Sequence, residues 1–121
     1  MRCLPIPIKH LMNMSDEDIE KKRRRAAFVA RGMLDGSIHY LEGAIELSSL
    51  RLGVGLPEDD KDFMAFVVVS SETDNLPIGA PRQHWSQEAL DRHEPKIQQS
   101  IKWAKEFSLS KCKSIVARFN A

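Results

Sequence analysis

The side chains best suited to chemistry crowd into one stretch, SSETDNLPIGAPRQHW, residues 70–85. Glu72 and Asp74 bring two carboxylates, Arg82 a guanidinium and His84 an imidazole, with Thr73 and Trp85 beside them. Those groups suffice for general acid–base work if they converge on one concavity. They also have simpler uses. Either carboxylate can cap the next turn or pair with Arg82, which is the commoner fate of such residues in a Pro- and Gly-punctuated connection. Trp85 reads as an anchor pinning the loop to the core, or as a contact for a partner, since Trp and Arg are enriched at binding hot spots. We take Glu72, Thr73, Asp74, Arg82, His84 and Trp85 as the candidate partner- or ligand-binding set.

Other chemistries have less to work with. The four histidines are His10, His39, His84 and His93, and only His39 with Glu42 forms an i,i+3 pair of potential ligands. A di-iron carboxylate bundle needs repeated Glu-x-x-His pairs, whereas this one is single and reversed. Cys3 and Cys112 have no zinc-ligand spacing. Cys112 falls on an apolar helical stripe, where a thiol is inert packing rather than a nucleophile. Gly53-Val54-Gly55 lacks the lysine and the strand-to-helix setting of a phosphate loop. No cofactor or metal is expected, and no catalytic residue is assigned. The basic run Lys21 to Arg25 could hold phosphates, but acidic residues precede it and no aromatics interleave, so a solvated helix face is the better reading.

Composition bounds the rest. The 121 residues suit one domain with a single core, and 42% hydrophobic with 29% charged residues is ordinary for a soluble protein. A formal net charge of +1 argues against a dedicated nucleic-acid binder. Two cysteines without a disulfide framework fit a reducing compartment. No apolar run approaches the roughly 20 residues of a membrane helix, and MRCLPIPIKHLMNM is a poor signal peptide. The expected location is the cytoplasm, without membrane association.

Periodicity predicts the elements that must position these groups. Residues 1–14, with Pro5 and Pro7, read as an extended N-terminal appendage, Met14-Ser15 being itself a credible start. Residues 15–121 read as one helical domain, opened by a capping box from Ser15 to Asp18. Residues 26–52 read as one long central helix, because Ala30, Leu34, Ile38, Leu41, Ile45, Ser48 and Leu52 recur at steps of three and four. Gly32, Gly36 and Gly43 would project together on its opposite side. They mark either a close approach by another backbone or a break within MLDGS that ends one helix and starts another. Gly53 to Pro57 stops the helix, and Asp59 or Asp60 caps the next, which packs Phe63, Phe66 and Val67 inward; a short strand at 66–69 is the alternative. Ser86 caps a further helix that Pro95 interrupts or restarts, with Ile97, Ile101 and Ala104 inward and Trp103 flanking. Ser108 or Ser110 starts the last, with Leu109, Cys112, Ile115, Val116 and Phe119 as its stripe. The fold class is all-α, an irregular bundle of four to five amphipathic helices around one long central helix.

The run ARGMLDGSIHYLEGAIELSSLR, followed by DFMAFVVVSSETDNLPIG and RQHW, resembles small uncharacterised bacterial helical proteins of the domain-of-unknown-function kind, over roughly residues 25–119. Its most distinctive part is Ser71 to Asp74, Leu76-Pro77, Gly79, Arg82 and Trp85. The resemblance implies no catalytic residues. In scale alone the chain is also similar to toxin immunity proteins. The expectation is a non-enzymatic helical interaction protein, either an immunity-type inhibitor or a self-associating bundle. A small hydrolase-like or ligand-binding enzyme built on the 70–85 loop is the alternative.

Overall fold

The computed structural model describes residues 16–119, so the appendage expected at 1–14, Cys3 and the Ser15 end of the predicted capping box lie outside the described residues. Within them the chain forms four α-helices and no strand: α1 (Asp16–Asp35), α2 (Tyr40–Leu50), α3 (Lys61–Glu72) and α4 (Gln87–Phe119), with 3-10 turns at Arg51–Gly53 and Ala80–His84. α1 packs along α4 and α2 along α3, while α1–α2 and α3–α4 contacts close the bundle. Acidic Asp16, Glu17 and Asp18 occupy the first turn of α1, where they offset its dipole.

The long central helix expected over 26–52 is two helices. α1 ends at Asp35, and Gly36 takes φ 88°, a left-handed conformation that costs glycine nothing and other residues about 1–2 kcal/mol. The Ser37 N–H then bonds the Asp35 carboxylate at 2.8 Å, and the Ile38 N–H reaches back to the Gly32 carbonyl at 3.0 Å. His39 caps α2, its Nδ1 accepting from the Leu41 N–H at 3.2 Å. Four residues outside the helix reset its phase. α2 therefore buries Leu41, Ala44 and Leu47, while Ile45 and Leu52, members of the predicted stripe, remain 38% and 62% exposed.

Downstream, α3 is the preferred helix rather than the alternative strand, and it buries Phe63, Phe66 and Val69. Asp60 sits at its N-cap without making a side-chain capping bond. Its carboxylate accepts from Arg118 instead, at 3.1 Å, and Asp62 accepts from the same guanidinium at 2.8 Å and from the Ser114 hydroxyl. This cluster ties the start of α3 to the end of α4. Burial pushes the Asp62 carboxyl up, but the Ser114 and Arg118 hydrogen bonds and the charges of Arg118 and Lys111 outweigh it and hold the group below the ordinary carboxylate range.

The two helices expected after Ser86 are one. Ser86 does cap it, accepting from the Ala89 N–H at 3.1 Å, but α4 runs 33 residues through Pro95. Pro95 is on the exposed side, so the missing backbone hydrogen bond falls where water can serve the freed carbonyl. Neither Ser108 nor Ser110 begins a helix. Ser108 is fully buried and donates to the Ala104 carbonyl one turn back, at 2.6 Å. That donation fixes a direction for its neighbours. With the Ser108 proton engaged, the Tyr40 hydroxyl donates to Ser108 Oγ at 2.7 Å, and the Cys112 thiol, 3.6 Å away, donates weakly to the tyrosine oxygen. This buried chain pins the first residue of α2 to the middle of α4. Burial raises the Tyr40 hydroxyl, and burial pushes the Cys112 thiol up to about 11, which leaves it protonated and inert.

Candidate functional site

The 70–85 segment is shorter as a loop than its composition suggests. α3 takes Ser70 to Glu72, and the connection starts at Thr73. Thr73 is buried and its hydroxyl donates to the Val69 carbonyl at 2.8 Å, finishing the helix. Leu76 and Ile78 are pulled into the core, which draws the chain tight against α2 and α3. Gly79, at φ 72°, turns it into the 3-10 segment, and the Arg82 Nη1 braces that turn by donating to the Pro77 carbonyl at 3.1 Å. Trp85 is half-buried and meets the His93 ring edge-on, 5.0 Å between centroids, fastening the loop to α4.

The candidate residues therefore divide. Glu72 is exposed and lines a depression of about 260 Å³ between α3 and α4, with Thr73, Lys96, Gln99, Ser100 and Trp103. Asp74 is exposed on a different groove, of about 400 Å³, which Thr73 and Trp85 also line. Arg82 is engaged with backbone, and His84 is exposed at the end of the 3-10 turn. The two carboxylates thus serve separate concavities.

The 400 Å³ groove has an apolar floor of Ile45, Leu76, Ile78, Pro81 and Trp85, with Ser70, Asp74 and Asn75 along its edge. Glu42 precedes Ile45 by one turn on α2 and lies against Gly79, its Cγ 3.8 Å from where a Cβ would stand. Asp74 is the one charged residue among those lining the groove. Sequence reasoning found Asp74, Thr73 and Trp85 but missed the floor, because Ile45 was assigned to the inward stripe of a continuous helix and Leu76 and Ile78 to a surface loop.

The glycines also separate. A Cβ on Gly32 would stand 2.5 Å from Ile38 Cδ1, and one on Gly43 would stand 2.5 Å from Met33 Sδ, so both meet side chains of this chain at the α1–α2 corner. Gly36 is in the turn itself, with open space around it. The three do not form a line on one helix.

Within the basic run Lys21, Lys22, Arg24 and Arg25 are exposed, as on a solvated helix face, and Arg23 is half-buried. The Arg23 Nε donates to the Val54 carbonyl at 2.7 Å, with its guanidinium over the Phe119 ring. Arg24 pairs with Glu20, Arg25 makes a two-pronged contact with Glu46, and the Lys22 stem covers Gly53. His39, the histidine that forms an i,i+3 pair of potential ligands with Glu42, is engaged as a cap. Among the described residues no group of three or more His, Cys, Asp or Glu could hold a metal ion, and no helix is long and apolar enough to cross a membrane. No protein family, curated protein or solved structure matches the chain.

Proposed function

We propose that this chain is a non-enzymatic binding protein that holds a segment of another protein in the groove between α2, α3 and the 73–86 connection. The observation that carries this reading is the groove itself: about 400 Å³, within the size range of binding concavities, with an apolar floor and few polar groups at its edge. Asp74 at its edge fits a segment with an apolar anchor beside a lysine or arginine. Complementary charge of that kind chooses among partners and speeds their encounter. An immunity-type inhibitor that covers a basic patch of a toxin is one specific form of such a protein. The hydrolase-like alternative has less behind it, because Glu72 and Asp74 line different concavities and Arg82 is engaged with the Pro77 carbonyl.

The test is affinity capture from native lysate, followed by titration with the purified captured protein. Ile45→Asp and Asp74→Lys should each weaken that complex by about tenfold or more, and Val68→Asp, on the far face of α3, should leave it unchanged. Equal binding by wild type and Ile45→Asp, or nothing captured by wild type, would overturn the reading.

A further inference from the structure

A second unpartnered surface lies where α3 and α4 run side by side. Val68 is 39% exposed there, Trp103 37% and Phe107 46%, and the two aromatic rings stack on each other with centroids 5.5 Å apart. The 260 Å³ depression lies on one side of this aromatic pair. On the other lies one of about 340 Å³, lined by Asp59, Lys61, Met64, Ala65, Val68, Phe107 and Lys111. The face thus has an apolar centre with a hollow and charged residues at each end.

Its residue order reads the same from either end in a way that points to an occupant. The α3 residues that line the two hollows include Lys61, Ala65, Val68 and Glu72, spaced four, three and four, with Ala65 buried at the floor and the other three exposed. Their midpoint lies between Ala65 and Val68, which is level with the midpoint between Trp103 and Phe107 on α4, since Lys61 is beside Lys111 and Glu72 beside Trp103. We propose that this face pairs with the same face of a second copy of the chain, about a two-fold axis lying in the interface and running across the two helices. The rotation reverses both helices. It sets Lys61 against Glu72 of the second copy, Ala65 against Val68 and Trp103 against Phe107, and each larger hollow over a smaller one. Every contact then occurs twice, as an isologous interface requires. The other two-fold, along the helices, brings Lys61 against Lys111, a like-charge contact that its pairing of Glu72 with Lys96 only offsets. The resulting contact is a four-helix layer with antiparallel α3 pairs. It meets the groove at α2 only at Thr73, which lines both that groove and the 260 Å³ depression.

Molar mass by light scattering and sedimentation, across a concentration series of the full chain, tests this directly. The wild type should move toward twice 13.7 kDa as concentration rises. Lys61→Glu and Glu72→Lys should each weaken association by about tenfold, and the double variant should restore it. Lys61 and Glu72 stand at opposite ends of a 12-residue helix, about 16 Å apart, so the rescue cannot arise within one chain. Both single changes also suit the helix dipole, so lost association cannot be ascribed to lost folding. A mass that stays at 13.7 kDa throughout would overturn the proposal and leave the face to a different occupant. A double variant as weak as either single one would overturn it equally.

Discussion

Replacing Ser108 by alanine should destabilise the fold more than removing the Tyr40 hydroxyl, although the tyrosine is the larger side chain and both lose the same 2.7 Å hydrogen bond. The asymmetry follows from the direction of the buried chain. In Tyr40→Phe, Ser108 keeps its donation to the Ala104 carbonyl, and only a weak thiol contact at 3.6 Å loses its acceptor. The expected cost is about 0.5–1.5 kcal/mol, that of an ordinary hydrogen bond. In Ser108→Ala, the Tyr40 hydroxyl stays in a site only 4% exposed with only the weakly accepting Cys112 sulfur, 3.6 Å away, to receive its proton. A stranded buried donor costs about 1–3 kcal/mol, reduced by the few tenths that alanine adds as a helix former. In the double variant the stranded donor is gone, so its total should be close to that of Tyr40→Phe alone, with a coupling of about 1–2 kcal/mol. Equilibrium urea unfolding followed by far-UV circular dichroism measures all four proteins. Additive single costs, or a Tyr40→Phe cost exceeding that of Ser108→Ala, would refute the assigned direction.

Two further outcomes follow from the corner and from the charged lock. Gly32→Ala should destabilise by about 1–3 kcal/mol despite alanine's better helix propensity, because Ile38 is branched and its Cβ is already 3.1 Å from the new methyl; Gly43→Ala should cost less, since flexible Met33 can move aside, and thermal unfolding compares the two. The Asp62 carboxyl titrates below its ordinary value near 3.9 in the fold, so the native state binds fewer protons there than the unfolded chain; its stabilisation is full above about pH 5 and is lost as pH falls through the folded value. Asp62→Asn should therefore be less stable at neutral pH and lose less on acidification, and parallel pH–stability curves for the two proteins would count against the lock.

The helical class was legible because it rests on local periodicity, which each segment carries alone. Phe63 and Phe66 at a step of three, the Gly53–Pro57 stop and the Ser86 cap are all decided within a turn or two of chain. Pro95 was misread for the same reason. Locally it is a breaker, and only the length of α4 packed along α1 and α3 makes continuity across it cheaper than a second start. Ser108 looked like a cap because serine caps helices. It is buried instead, satisfied by Ala104 and Tyr40, a partner 68 residues away.

Sequence alone determined that this chain folds as helices, roughly where most of them stop, and that its polar loop would be anchored at Trp85. Tertiary structure decided what those residues face. A turn at Gly36 rotated α2 so that Ile45 left the predicted inward stripe and became the floor of a groove. Arg23 and Arg25 became struts because Val54 and Glu46 were within reach. Glu72 and Asp74, two residues apart in sequence, open onto different concavities because the end of α3 falls between them. Composition and spacing record which groups are present, whereas convergence depends on distances between segments far apart in the chain, and those exist only once the helices have packed.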